Sequence, residues 1–529
     1  MSRHPLPGSG AVLRRCGCLL CLAAAVAGSA GCASLPDRSA IDVPHSRAIV
    51  VSSQTRLGAT ADAAVGRTRS ASAFKLLPLS GAAYEARIEM ARQAERSLDL
   101  QTFILQGDAS GGILLRSLRD AATRGVRVRI LVDDLHTDSA ETLLSDLAAF
   151  DGVEVRLVNP FVRLRGSRAT KLVSSLDELR RVNHRMHNKV FIADNAIAIF
   201  GGRNVGDEYF LRAEDGNFLD LDVLTAGDAV RGLSGSFDAY WNSEFAWPIG
   251  AIVPPRGDRA ARRTRFDEAT SPLALPPVPL PPERLLRFAT APAELRSGAL
   301  MLVGANAEVV ADPVDKLEGT RVGQRAGTVR AVVGEAGRAA RFEVYVVSPY
   351  FIPGAVGMES LRLNRRNGVR LRLLTNSLAA TDEPAVHAGY LAFRHELLEL
   401  GMEIHELSPT LAREGLRLGR FAPSALHIKA MFFDRERLFV GSMNLDGRSE
   451  QYNTEVGVMI ESPDLTAELL SVLDFDSVSY RVELSPEGKT RWVGRRDGRL
   501  VVFDSEPEAS LMRRLASRLL GLLLPDDWL

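Results

Sequence analysis

"HIKAMFFDRERLFVGSMN" runs from His427 to Asn444. "HNKVFIADNAIAIFGGRN", His187 to Asn204, stands 240 residues before it. Each stretch sets a His and a Lys two residues apart in an apolar run. Each then places Asp seven residues and Asn seventeen residues after the His, with glycine leading into the Asn turn. In extended backbone, residues i and i+2 face the same side. His187 therefore shares a face with Lys189, and His427 with Lys429, while Val190 and Ile192, or Ile428 and Ala430, turn to a core. One copy alone would read as a half-buried strand with its charge toward water. Two copies with the same downstream Asp and Asn point to a site containing two His and two Lys, formed where two related halves meet.

Outward from these stretches the repetition continues. "LDLQTFILQG" (98–107) is matched by "FEVYVVSPYFIP" (342–353), "DAATRGVRVRILVDDL" (120–135) by "RLNRRNGVRLRLLTNSL" (362–378), and "AAFDGVEVRLVNP" (148–160) by "LELGMEIHELSP" (398–409). Order is kept throughout, so the chain reads as a duplicated domain. Helical patterns alternating with apolar strands predict α/β halves, each with a mixed sheet. The expected division is a first domain at 75–248, a Pro-rich extended linker at 249–298 and a second domain at 299–529. At 529 residues and 46% hydrophobic composition there is material for two cores.

The N-terminus predicts export. Arg3, Arg14 and Arg15 precede an uncharged run from Cys16 to Ala30, too short to span a bilayer, and small residues lead to Cys32. Residues 1–31 resemble a bacterial lipoprotein signal, with Cys32 the residue to be lipidated. The position three before Cys32 is Ser29, where that signal usually has an aliphatic residue, and ordinary cleavage near Ala30 is the alternative. Residues 32–74, rich in Ala, Ser, Thr, Arg and Gly, read as a flexible tether. The cysteines are Cys16, Cys18, Cys21 and Cys32, so the mature chain has no thiol nucleophile and no disulfide within itself. Formal net charge is zero, which argues against a nucleic-acid-binding chain.

Two imidazoles and two ammoniums suit a phosphodiester. The lysines neutralise the phosphate and its transition state. Asn204, Ser442 and Asn444 can donate to phosphoryl oxygens. One His can attack phosphorus while the other protonates the leaving oxygen, then deprotonates the acceptor. The lysines supply the charge, so no metal or other cofactor is expected. His184 and His187 alone lack the further ligands of a metal site.

His-x-Lys-(x)4-Asp followed by Gly-Ser/Gly-x-Asn, present twice, resembles the phospholipase D superfamily. The second copy fits as His427, Lys429, Asp434, Gly441, Ser442 and Asn444. The first fits with Gly202 where Ser is common. The resemblance implies that Asp194 and Asp434 are structural. It also implies an acid after each motif that orients the His of the opposite half: Glu455, and Asp220 with Asp222 as the alternative. Within the superfamily, "SLDLQTFIL", "VDDL", "ADPVDK", "SPYFIP" and "RRMHNK" resemble bacterial C-type cardiolipin synthases. That implies phosphatidyl transfer through a phosphatidyl-histidine, with water as acceptor making the same chemistry a phospholipase D. A secreted nuclease is the remaining alternative.

The implied substrates are phospholipids at a membrane surface of a bacterial cell envelope, with no obligatory protein partner. Two stretches are candidates for lipid contact. Eight Lys and Arg between Arg156 and Arg185, interleaved with Phe161, Leu164 and Leu172, could meet anionic headgroups. The C-terminal "SLMRRLASRLLGLLLPDDWL" reads as an amphipathic interfacial helix ending near Trp528, or as a core helix closing the second domain.

Overall fold

The computed structural model describes residues 35–523 apart from 164, 276–277, 279–280, 320–325, 417–424, 474 and 497. The signal stretch, Cys32 and Trp528 lie outside the described residues. Each half has three parallel strands at its centre: Ser97–Ile104, Arg127–His136 and Val153–Val158 in the first, Glu343–Val347, Arg370–Asn376 and Glu403–Leu407 in the second. The helices Ala109–Thr123 and Glu141–Leu147, and Gly354–Arg366 and Pro384–Glu399, connect them. Beside the first parallel strand of each half lies an antiparallel hairpin, Val190–Ala193 with Ile197–Gly201 and Ala430–Phe433 with Arg437–Gly441. The strands Asp222–Gly227 and Val456–Glu461 follow in the same positions. The strand Val303–Ala311 pairs with both Ser72–Leu77 and Val456–Glu461, so the two sheets are joined edge to edge.

The hairpin turns explain the motif aspartates. Asp194 and Asn195 have φ of 51° and 51°, and Asp434 and Arg435 have 57° and 59°, a left-handed pair that opens each three-residue connection, 194–196 and 434–436. Asp194 then accepts from the backbone N–H groups of Glu95, Arg96 and Ser97, and Asp434 from those of Arg341, Phe342 and Glu343. Both carboxylates thus cap the entry to the first parallel strand, far along the hairpin from the His-Lys pairs.

Three sequence expectations are corrected. Residues 35–74 are not a loose tether. Thr55 caps the helix Arg56–Gly66, whose Leu57, Ala61 and Ala64 enter the first core, and Arg38 donates to the carbonyls of Ser243, Glu244 and Ala246. The stretch 249–298 is not extended. Asp258 caps the helix Arg259–Thr270, and Phe266, Ala291 and Leu295 also pack into the first core.

The basic stretch does not form a headgroup patch. Arg165 and Lys171 are paired with Asp134, and Arg185 with Asp133. Arg163 meets Asp177 and Arg181 meets Glu178. Arg156 is buried and donates to the carbonyls of Trp241 and Pro44. Of the eight, Arg168 and Arg180 are exposed.

The helix Leu511–Leu523 is not the core helix of the second sequence alternative. It lies against Pro384–Glu399, with Arg513 and Arg514 turned to the carbonyls of Thr381 and Glu506, and it exposes Leu511, Met512, Leu515 and Leu519. Among the described residues no helix is long and apolar enough to cross a membrane.

Candidate active site

Two short parallel ladders cross between the halves. Arg185–Met186 pairs with Asn453–Thr454, and Ala425–Leu426 pairs with Phe218–Leu219. The next residue on each strand is a predicted site residue: His187 and Glu455 from the first ladder, His427 and Asp220 from the second. The backbone N–H of His187 donates to the Thr454 carbonyl at 2.9 Å, and that of His427 to the Leu219 carbonyl at 2.7 Å. His187 and Lys189 therefore lie in an extended connector just before the strand Val190–Ala193, rather than inside it, and the second pair lies likewise before Ala430.

Each imidazole Nδ1 meets the acid of the opposite half. His187 Nδ1 is 2.9 Å from Glu455 Oε2, and His427 Nδ1 is 2.6 Å from Asp220 Oδ2. A carboxylate on Nδ1 fixes the ring orientation and leaves Nε2 for chemistry. Asp222, the alternative acid, is instead bound to Arg87 at 2.9 Å and Arg203 at 3.3 Å in the first half. The lysines are buried, and each Nζ donates to the carbonyl of the preceding His at 2.7 Å.

The downstream residues divide. Asn204 Oδ1 accepts from the Ile104 N–H at 3.1 Å, which turns its amide nitrogen the other way. Asn444 is buried in the equivalent turn. The sequence reading gives Ser442 to phosphate, but its hydroxyl donates to Glu455 Oε2 and accepts from the Val456 N–H. It braces the acid. The first half has no such hydroxyl, and the reason is steric: a Cβ on Gly202 would stand 2.2 Å from Asp220 Oδ1. The shorter Asp occupies the room that a serine would need.

Sequence reasoning missed the aromatic collar. Phe103 stands edge-on to His187 at 4.9 Å between ring centroids, while Phe218 and Tyr209 pack on His427 at 5.1 and 5.3 Å. Phe103 lies in a quoted repeat, but nothing in its spacing marks a ring contact. The second histidine of the candidate metal pair, His184, points elsewhere: its Nδ1 donates to the Arg180 carbonyl at 2.7 Å. Among the described residues no group of three or more His, Cys, Asp or Glu is placed to hold a metal ion.

Burial sets the electrostatics. It brings Lys189 down to about 7 and Lys429 down to about 8. Burial, reinforced by both ammoniums, holds His187 well below the ordinary imidazole range. Burial and Lys429 also lower His427, with Asp220 pulling in the opposite direction. The acids differ. Burial pushes Glu455 up to about 7 against the pull of Lys189. Burial alone would raise Asp220, but His427 and Lys429 outweigh it and hold that carboxyl below its usual range.

A family model described as "Cardiolipin synthase, PLD-like domain" matches residues 88–241 and again 337–476. The chain belongs to this PLD-like cardiolipin synthase family. The family match falls once on each half, in agreement with the duplication. Cardiolipin synthase C of Escherichia coli (strain K12) is 34% identical over 462 residues, covering 84% of this chain and 94% of the relative. Cardiolipin synthase A of Pseudomonas aeruginosa (strain LESB58) is 27% identical over 435 residues, covering 81% and 72%. The crystal structure of phosphatidylserine synthase from Haemophilus influenzae Rd KW20 superposes with a TM-score of 0.53 at 13% identity, over 85% of this chain and 95% of that one. This likeness establishes the fold of the two-domain PLD-like architecture.

Proposed function

We propose that this member of the PLD-like cardiolipin synthase family is a membrane-associated phosphatidyltransferase that makes cardiolipin from phosphatidylglycerol and a second phospholipid. The observation that carries the reading is the pair of His–acid contacts made across the halves, with a buried lysine two residues after each His. Lys189 and Lys429 hold the non-bridging phosphate oxygens, and the amides of Asn204 and Asn444 donate to them. His187 Nε2 attacks phosphorus. The bond from phosphorus to the headgroup oxygen breaks, and His427 gives that oxygen its proton. A hydroxyl of phosphatidylglycerol then attacks the phosphatidyl-His187, loses its proton to His427, and displaces the imidazole.

The inequality of the acids supports this division of labour. An ionised Asp220 stabilises the imidazolium that a general acid needs at His427. Glu455, closer to neutral, leaves His187 an uncharged nucleophile. The exposed leucines and Met512 of the terminal helix support contact with a bilayer, and the Cys32 signal supports lipid anchoring in a bacterial envelope.

Incubation with labelled phosphatidylglycerol and an unlabelled second phospholipid tests the reading. Labelled cardiolipin is the expected product. Phosphatidic acid alone would assign the chain to hydrolysis, and DNA cleavage without lipid turnover would overturn the lipid assignment.

A further inference from the structure

A cavity of about 240 Å³ is lined in part by Phe218, Leu219 and Asp220, the segment next to His427. Its walls come from both halves and from the connection between them: Leu79 before the helix Ser80–Gln93, Leu285 of the connection, Ile428 between the second His and Lys, and Leu469 and Leu473 at the end of the helix Pro463–Val472. Phe218 and Asp220, whose ring and carboxylate hold His427, are among the lining residues. Glu85 and Arg284, which also line it, are exposed. A concave, mostly apolar pocket with a few polar groups is the usual form of a site for an apolar ligand.

We infer that this cavity is a binding site for a single fatty-acyl chain, seated against the segment that positions His427. The inference rests on the phosphatidyltransferase reading for the identity of the ligand. The lining side chains are apolar except for Ser80, Glu85, Asp220 and Arg284. That is the pattern an amphiphile requires and a polar solute does not. The chain has two possible sources, the substrate's own diacylglycerol or a separate bilayer lipid, and the chemistry of recognition is the same.

Gly81 makes the site testable. It lines the cavity on the first turn of its helix, and a Cβ there would meet nothing nearer than Val278 Cγ1 at 3.9 Å. Gly81→Leu therefore fills the cavity while favouring the helix. Gly235→Leu is the control, because Gly235 is an exposed helical glycine with open space before it.

The full-length protein is assayed for headgroup release from dihexanoyl and dioleoyl phospholipids, and for the fluorescence rise of cis-parinaric acid on binding. Gly81→Leu is expected to abolish the parinaric signal and to lower kcat/KM on dioleoyl substrate at least tenfold, with dihexanoyl substrate within twofold of wild type. Loss of the parinaric signal with unchanged dioleoyl turnover supports the acyl site and assigns its chain to a separate lipid. A parinaric signal and dioleoyl turnover both unchanged in a folded Gly81→Leu protein overturn the inference. A wild type inactive on both lipids defeats the transferase reading instead, and the parinaric comparison still decides the cavity.

Discussion

Gly202→Ala is the most informative single change at the site. Gly202 is not in the left-handed region, so the backbone accepts alanine without strain and the effect is confined to the new methyl group. That carbon would lie 2.2 Å from Asp220 Oδ1 and 2.9 Å from its Cγ. The whole carboxyl group must swing away, and Oδ2 then leaves His427 Nδ1, now at 2.6 Å. A hydrogen bond to a charged group contributes about 1.5–3 kcal/mol. At tenfold per ~1.4 kcal/mol, its loss in the transition state lowers kcat by roughly 10- to 150-fold.

The assay is single-turnover phosphatidyl transfer on matched lipid, alongside thermal unfolding to show that the fold is kept. The pair Gly202→Ser with Asp220→Glu reproduces the combination already present as Ser442 and Glu455. It is expected to be more active than either single variant, a coupling that additive effects do not produce. Wild-type kcat in Gly202→Ala, or a double variant no better than the worse single one, refutes the reasoning.

Other tests follow from the same geometry. His427→Asn should retain turnover on a nitrophenol-leaving substrate and accumulate an adduct on His187, while His187→Asn should give neither; mass spectrometry of the trapped adduct decides, and an adduct on His427 reverses the assignment. Because burial brings Lys189 to about 7 and Lys429 to about 8, the ammoniums are lost as pH rises through this range, so KM for phospholipid should climb by about tenfold per unit between pH 7 and 8 and by about a hundredfold per unit above pH 8, as a titration of initial rates would show. Asp220→Asn should lose activity with little change in the unfolding temperature. Asp222→Asn should do the reverse, since it unpairs buried Arg87 and Arg203 at a cost of about 3–5 kcal/mol. Asp434→Ala should lower the unfolding midpoint by leaving three backbone N–H groups without their carboxylate, a loss of about 1–3 kcal/mol, and unchanged melting would show the cap to be dispensable.

The reacting groups were legible in the sequence because the chemistry is repeated. His187, Lys189, His427 and Lys429 stand out only through their common spacing, and the family resemblance offered Glu455 and Asp220, with Asp222 as the alternative, for the acids. What escaped was whatever depends on a partner distant in sequence. Ser442 looks like a phosphate donor until the turn places Glu455 beside it. The basic residues of 156–185 look free until Asp133 and Asp134 arrive from another strand. The Ala- and Pro-rich stretches look unstructured because composition does not show that Arg38 will find three carbonyls, or that Phe266 will find a core.

The crossed ladders have a consequence for how activity arises. A nascent chain that has emerged only as far as residue 298 carries His187 and Lys189 but neither Glu455 nor Lys429, and Asp220 has no imidazole to hold. On the proposed mechanism each half by itself is expected to be inactive. On that mechanism competence requires the two halves to dock, and two separately produced halves brought together in one tube become a reporter of their own assembly.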